Sequence, residues 1–152
     1  MHHLIEANLV DELVKHVSAK LECKTPLHVA SHPIGLDSRI ADVMRLLDVD
    51  TSDVRLIGTL GMGGIGKTTL AKAVFNKIRS SFQGSCFLLD VRESSKTNDG
   101  VVDLQKQLLK ELFNEGDPNI YNADGGINVI KKKIGRKKVL VVIDDVDSEK
   151  QL

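Results

Sequence analysis

Leu4, Ile5, Leu9, Val10, Leu13, Val14, Val17 and Leu21 recur at spacings of three and four, the period that gathers apolar side chains on one stripe of a helix. The pattern predicts an N-terminal amphipathic helix over 1–21. Cys23 to Gly35 holds Pro26 and Pro33 and no sustained period, so it reads as an extended linker. The division expected is helix and linker over 1–26 and a globular domain over 27–152. From Ser38, the positions Ile40, Val43, Leu46 and Leu47 predict a short helix. Val54-Arg-Leu-Ile-Gly-Thr-Leu60 predicts a strand that runs straight into a glycine cluster, and the helix from Lys67 carries Leu70, Ala71, Val74 and Ile78 on one side. A second strand, over 85–91, follows the break at Gln83-Gly84, completing a strand–helix–strand unit of the kind that joins parallel strands.

A polar loop over Glu93–Asp99 then precedes a helix near Val101–Phe113, with Leu104, Leu108, Leu109 and Leu112 inward. A long loop, Asn114–Gly125, leads to a short helix at Ile127–Ile134. Val139-Leu-Val-Val-Ile143 is a run of five apolar, mostly β-branched residues, the composition of a parallel strand covered on both faces. A third strand over 138–143 is therefore expected, ending in Asp144-Asp145. No internal repeat or low-complexity tract interrupts the order.

Composition narrows the function classes. At 152 residues the chain fits one domain with a sizeable core. Lys+Arg and Asp+Glu are equal at 21 each, so no net positive field draws the chain to nucleic acid or anionic lipid. Two distant cysteines, Cys23 and Cys86, and five scattered histidines do not make a zinc site and read as reduced structural thiols and ordinary side chains. The amino terminus carries Glu6, Asp11, Glu12 and Lys15 where a signal peptide needs an unbroken apolar stretch, and no segment reaches the roughly 20 apolar residues of a membrane span. A cytoplasmic protein is expected, the nucleus being the alternative compartment, with no membrane partner.

The chemistry lies at the strand ends. Gly61-Met-Gly-Gly-Ile-Gly66-Lys67-Thr68 matches G-x-x-x-x-G-K-[ST] and sits between a predicted strand and a predicted helix, where a phosphate-binding loop must be. Gly61, Gly63, Gly64 and Gly66, with Ile65 between them, let successive backbone N–H groups turn toward a phosphate, and the helix beyond adds its positive end. Lys67 supplies a charge for the β- and γ-phosphates, Thr68 a hydroxyl for a Mg²⁺ shell, and Thr69 a donor to the α-phosphate. A plain glycine turn before a helix would account for the glycines but not for Lys67-Thr68 at this spacing.

Val139 to Asp145 places two carboxylates after an apolar strand, where an open α/β sheet presents its ligand crevice. This is a Walker B pattern, with Asp144 toward Mg²⁺ and Asp145 toward the attacking water. Asp-Asp after a strand is also a common turn, and the glycine loop is what favours the catalytic reading. The ligand expected is ADP or ATP with Mg²⁺, with Lys67 and Asp145 as the catalytic candidates. The basic cluster Lys131–Lys133 and Arg136–Lys138 flanks a helix end, where cations complement the dipole, and no aromatic residues interleave with it in sequence, which argues against nucleic acid.

These motifs together resemble the NB-ARC domain of plant intracellular immune receptors, in the branch with an N-terminal TIR domain. Gly61–Thr69 resembles the family's P-loop, Cys86-Phe-Leu-Leu-Asp-Val-Arg-Glu93 its next strand block, and Val141-Val-Ile-Asp-Asp-Val-Asp147 its Walker B segment. Asp147 stands where the coiled-coil branch usually has Trp. Thr25-Pro-Leu-His-Val29 and His32-Pro-Ile-Gly-Leu-Asp-Ser-Arg39 resemble the linker into the domain and the turn beside adenine, which makes Ile34 and Gly35 the implied adenine contacts.

The resemblance implies an α/β fold, a three-layer P-loop NTPase-like parallel sheet with strand order second, third, first. It implies a chain truncated at its C-terminus, lacking the TIR domain, the rest of ARC and the leucine-rich repeats. The function implied is an ADP/ATP-binding switch in defense signalling, working by exchange. The alternatives are a nucleotide-independent interaction fragment that pairs with a full-length receptor, or a slow Mg²⁺-dependent ATPase. No NAD-cleaving activity is expected without TIR. If Val54–Leu60 is a central strand of a longer sheet, its loss of a neighbour leads to self-association.

Overall fold

The structure, a computed structural model, describes residues 26–29, 35–114, 116–135 and 137–152; the predicted N-terminal helix, Cys23 and Ile34 lie outside them. In chain order the elements are α1 (Leu36–Leu47), α2 (Lys67–Ile78), β1 (Gly84–Leu88), the single helical turn α3 (Val91–Ser94), α4 (Asn98–Phe113), α5 (Ala123–Ile134) and β2 (Val139–Ile143). Short 3₁₀ turns follow α2 at Arg79–Ser81 and β2 at Glu149–Gln151.

The two strands pair in parallel, from Gly84 opposite Val139 to Leu88 opposite Ile143. Because successive side chains of a strand point to opposite faces, Phe87, Leu140 and Val142 go to one side and Cys86, Leu88, Val139, Val141 and Ile143 to the other. Both faces are covered, which is why the strands are apolar at nearly every position. On the first face α1 and α2 supply Ile40, Val74, Phe75 and Ile78. The rings of Phe75 and Phe87 meet edge to face, 5.5 Å between centroids and 87° between planes, an arrangement aromatic quadrupoles favour. On the second face α4 supplies Leu104, Leu108 and Leu112, and α5 packs on α4 through Val102, Leu109, Val129 and Ile130, joined by Ile120 of the loop between them. Leu27, in the linker, joins the first core; its N–H and C=O both bond the Asn76 side chain of α2 at 2.8 Å.

Element boundaries shift from the sequence pattern for local reasons. β1 stops at Leu88, because Asp90 takes the left-handed conformation (φ 52°) and turns the chain into α3, inside the span expected to be strand. α4 begins at Asn98, three residues before the apolar period, because the Thr97 hydroxyl accepts from the Gly100 N–H at 3.1 Å as an N-cap. Asn122 does the same for α5, accepting from Gly125 N–H at 2.7 Å. Gly125-Gly126 thus lies inside a helix rather than a loop. Gly126 is small for a packing reason, since a Cβ there would come within 1.9 Å of Oε1 of the nearly buried Gln105.

One expectation is overturned. Val54–Leu60 is not a strand: among the described residues the sheet has two strands, and this segment is in neither. Val54, Leu56 and Leu60 are 99%, 85% and 97% exposed. β-propensity expresses itself through cross-strand pairing and burial; the segment has no strand partner and only Ile57 of its apolar residues is partly buried, so its pattern does not produce a ladder. The expected order of second and third strands as neighbours does hold. The outer edge of β1 is blunted by α4, whose Glu111 carboxylate accepts from Phe87 N–H at 3.2 Å, one way a protein covers an open edge.

Candidate functional site

The glycine loop runs from Gly61 into the first turn of α2. Gly61, Gly64 and Gly66 have φ of 156°, 77° and 90°; the last two lie in the left-handed region that side chains other than glycine's rarely enter. Gly66 is the N-cap and offers no side chain to the helix. The first helical bond along this turn runs from Leu70 N–H to Gly66 C=O at 2.9 Å, so the N–H groups of Lys67, Thr68 and Thr69 lie ahead of it as the orphan donors of a helix start. That is the part of a helix suited to an anion.

The Lys67 ammonium folds back over the loop and donates to the carbonyls of Gly61 at 2.7 Å and Met62 at 2.9 Å. Ile65 is half exposed, with its Cγ2 lying 3.3 Å from where a Cβ on Gly61 would stand. Gly35, with φ 70°, caps the N-terminus of α1, and α1 packs on α2. The adenine role expected of Ile34 falls outside the described residues.

Thr68 and Asp144, 76 residues apart in sequence, meet: the Thr68 hydroxyl lies 3.0 Å from Oδ1 and 2.9 Å from Oδ2 of Asp144, in a partly buried setting. The pair that the sequence assigned to one cation therefore stands together. A hydroxyl and a carboxylate are hard oxygen ligands of the kind Mg²⁺ takes alongside phosphate oxygens. Among the described residues no group of three or more His, Cys, Asp or Glu could hold a metal by itself.

Asp145 has a different partner. Its φ of 58° is left-handed, and its Oδ2 lies 3.1 Å from a guanidinium nitrogen of Arg92. The two backbones continue the ladder past the strand ends: Asp144 N–H donates to Leu88 C=O at 2.9 Å, Val91 N–H to Asp144 C=O at 3.3 Å and Arg92 N–H to Asp145 C=O at 3.1 Å. Gln151 Nε2, beyond β2, donates to Ser95 Oγ at 2.9 Å. Next to Arg92, Glu93 accepts from the Lys96 ammonium at 2.7 and 2.8 Å, and that hydrogen bond, with the Lys96 charge behind it, lowers the glutamate carboxyl below its ordinary value. Arg92 was not singled out as a site residue from sequence; the available signal was its place just past an apolar strand, at the carboxyl edge where such sheets bind ligands.

The basic cluster lies elsewhere. Lys133 and Lys137 place their ammonium groups 5.9 and 4.4 Å from the centre of the Phe113 ring, and Lys138 lies 5.4 Å from that of Phe82 while donating to Val49 C=O at 2.6 Å. Aromatic partners absent from the local sequence thus reach these lysines through the fold, as cation–π contacts. No helix among the described residues is long and apolar enough to cross a membrane.

The NB-ARC domain family matches residues 37–152, a span that holds the glycine loop, Thr68, Arg92 and the Asp144-Asp145 pair. The chain is 38% identical over 148 residues to the disease resistance protein RUN1 of Vitis rotundifolia, covering 97% of this chain and 11% of that protein. It is 36% identical over 150 residues to the TMV resistance protein N of Nicotiana glutinosa, covering 95% and 13%. With the disease resistance-like protein DSC1 of Arabidopsis thaliana it shares 37% over 150 residues, 97% and 12% of the two chains. It thus spans between a tenth and a seventh of the length of these relatives, and by the extent of the match it belongs to the NB-ARC family.

Proposed function

We propose that this chain is a nucleotide-binding module of a plant immune receptor, holding ADP or ATP with Mg²⁺, in which exchange rather than turnover carries the signal. The observation that carries the reading is the meeting of Thr68 with Asp144 at the foot of the glycine loop. In this reading Lys67 leaves the Gly61 and Met62 carbonyls to meet phosphate, and the helix N–H groups of Lys67, Thr68 and Thr69 complete the cradle. Thr68 and Asp144 are the residues that would hold Mg²⁺, which when bound would offset phosphate charge. Asp145 is the base or water-orienting group of any slow hydrolysis, and the chain works in the cytoplasm as a three-layer P-loop module. Isothermal titration with ADP and Mg²⁺ tests this. A dissociation constant of micromolar order, about 8 kcal/mol, is expected, and no heat of binding at protein concentrations of about 100 µM refutes it.

A second reading, an interaction fragment that pairs with a full-length receptor or with itself, draws on one observation: Val54, Leu56, Leu60 and Met62 are at least 80% exposed in one short segment, more apolar surface than a lone side chain presents. Sedimentation showing a stable assembly without nucleotide would favour it.

A further inference from the structure

We infer that Arg92 is a positioning residue for Asp145 that sets the preference for a nucleoside triphosphate over a diphosphate. This rests on the nucleotide-binding reading above.

The two carboxylates at the end of β2 divide their work. Asp144 is committed to Thr68 at 2.9–3.0 Å. Asp145 follows it, its Cα about 3.8 Å on along the backbone, which keeps its charge near the Thr68–Asp144 pair. A second unpaired carboxylate there repels a terminal phosphoryl group. The repulsion would fall mainly on the triphosphate, which carries the additional charged group, and less on the diphosphate. The structure counters it with the Arg92 guanidinium, 3.1 Å from Asp145 Oδ2.

Three features show that this pairing is built in. Arg92 N–H also donates to Asp145 C=O at 3.1 Å, so main chain and side chain hold the same residue. Asp90 and Asp145, at the ends of the two strands, both take the left-handed conformation, with φ of 52° and 58°, a cost that persists only where surrounding contacts fix it. Finally, the nearest rival for the guanidinium, Glu93, stands 4.0 Å away and is occupied by Lys96 at 2.7 Å. Arg92 is left to Asp145. Side chains about half exposed give a pair that solvent screens but does not abolish.

The test is titration of the 152-residue chain with Mg²⁺-ATP and Mg²⁺-ADP. Arg92→Gln should weaken ATP about tenfold, between the water and protein-surface limits for unit charges a few ångströms apart, and ADP less than about twofold. Arg92→Lys, which keeps the charge, should recover most of the ratio. In an Asp145→Asn background Arg92→Gln should lower the ratio clearly less than in the unaltered chain, because the carboxylate it positions is gone and only the screened charge of the guanidinium itself is lost. Asp145→Asn alone should raise the ATP-to-ADP affinity ratio, a readout that survives should the Gln variant not fold. Equal losses for both nucleotides, the same drop without the Asp145 charge, or a lowered ratio in Asp145→Asn would each overturn the inference while leaving the site assignment intact. Failure of the unaltered chain to bind either nucleotide would overturn both.

Discussion

Gly84→Ala should destabilise the protein more than its size suggests. Gly84 opens β1 opposite Val139, with the last turn of α4 lying directly over it. A Cβ there would stand 2.2 Å from the Leu112 carbonyl oxygen, 3.0 Å from its carbonyl carbon and 3.2 Å from its Cα. Ordinary contact begins near 3.4 Å, so strand and helix must part by about 1 Å, the difference between 3.4 and 2.2. Both clashing groups are backbone, and no side-chain rotation relieves them. Leu112, 4% exposed, belongs to the core with Cys86, Leu88 and Val91, so lifting α4 loosens contacts along the face behind the site. Overpacking costs about 1–3 kcal/mol; with no soft partner the upper end applies, less the ~0.5–1 kcal/mol that alanine recovers in chain entropy. A loss of about 2 kcal/mol follows. Urea unfolding should show the midpoint falling by about 1 M at unchanged slope, given slopes of about 1–3 kcal/mol/M. Gly58→Ala is the control, because a Cβ there meets nothing within 4 Å. Equal midpoints for the two variants would refute the packing of α4 on β1 described above.

Three further outcomes are expected. Lys67→Met should abolish ADP binding by titration while the unfolding free energy moves by less than about 1 kcal/mol, since the bonds it removes in the ligand-free loop are exposed; unchanged ADP affinity would sink the P-loop assignment. Asp144→Ala should weaken ATP more than ADP in the presence of Mg²⁺, because a metal held there would offset the greater phosphate charge of the triphosphate, and titrations showing equal losses would argue against the Thr68–Asp144 cation site. Thr97→Ala should cost about 1 kcal/mol by removal of the α4 cap, read as a lowered melting temperature, and a melt unchanged to within a degree would contradict the capping bond to Gly100.

Much of this was legible in the chain. The glycine loop, the helix that starts at Lys67 and the Asp144-Asp145 step are local facts: loop conformation, helix start and strand end each depend on a few consecutive residues, and consecutive residues are what a sequence displays. The apolar run Val139–Ile143 announced a strand covered on both faces for the same reason. Cap positions were harder to read, because Thr97 and Asn122 compete with an apolar period that begins several residues later, and Gly125-Gly126 looks like a loop until Gln105 of another helix is seen against it.

What only the tertiary structure decided are the pairings across distance. That Thr68 meets Asp144, that Asp145 pairs with Arg92, and that Phe113 lies under Lys133 and Lys137 follow from which strands are neighbours and how their ends are staggered. Val54–Leu60 makes the same point in reverse. Its residues predict a strand, but a strand exists only when another chain segment supplies its hydrogen bonds and cover. Local preference fixes what a segment can become, and the partner across the sheet fixes whether it does.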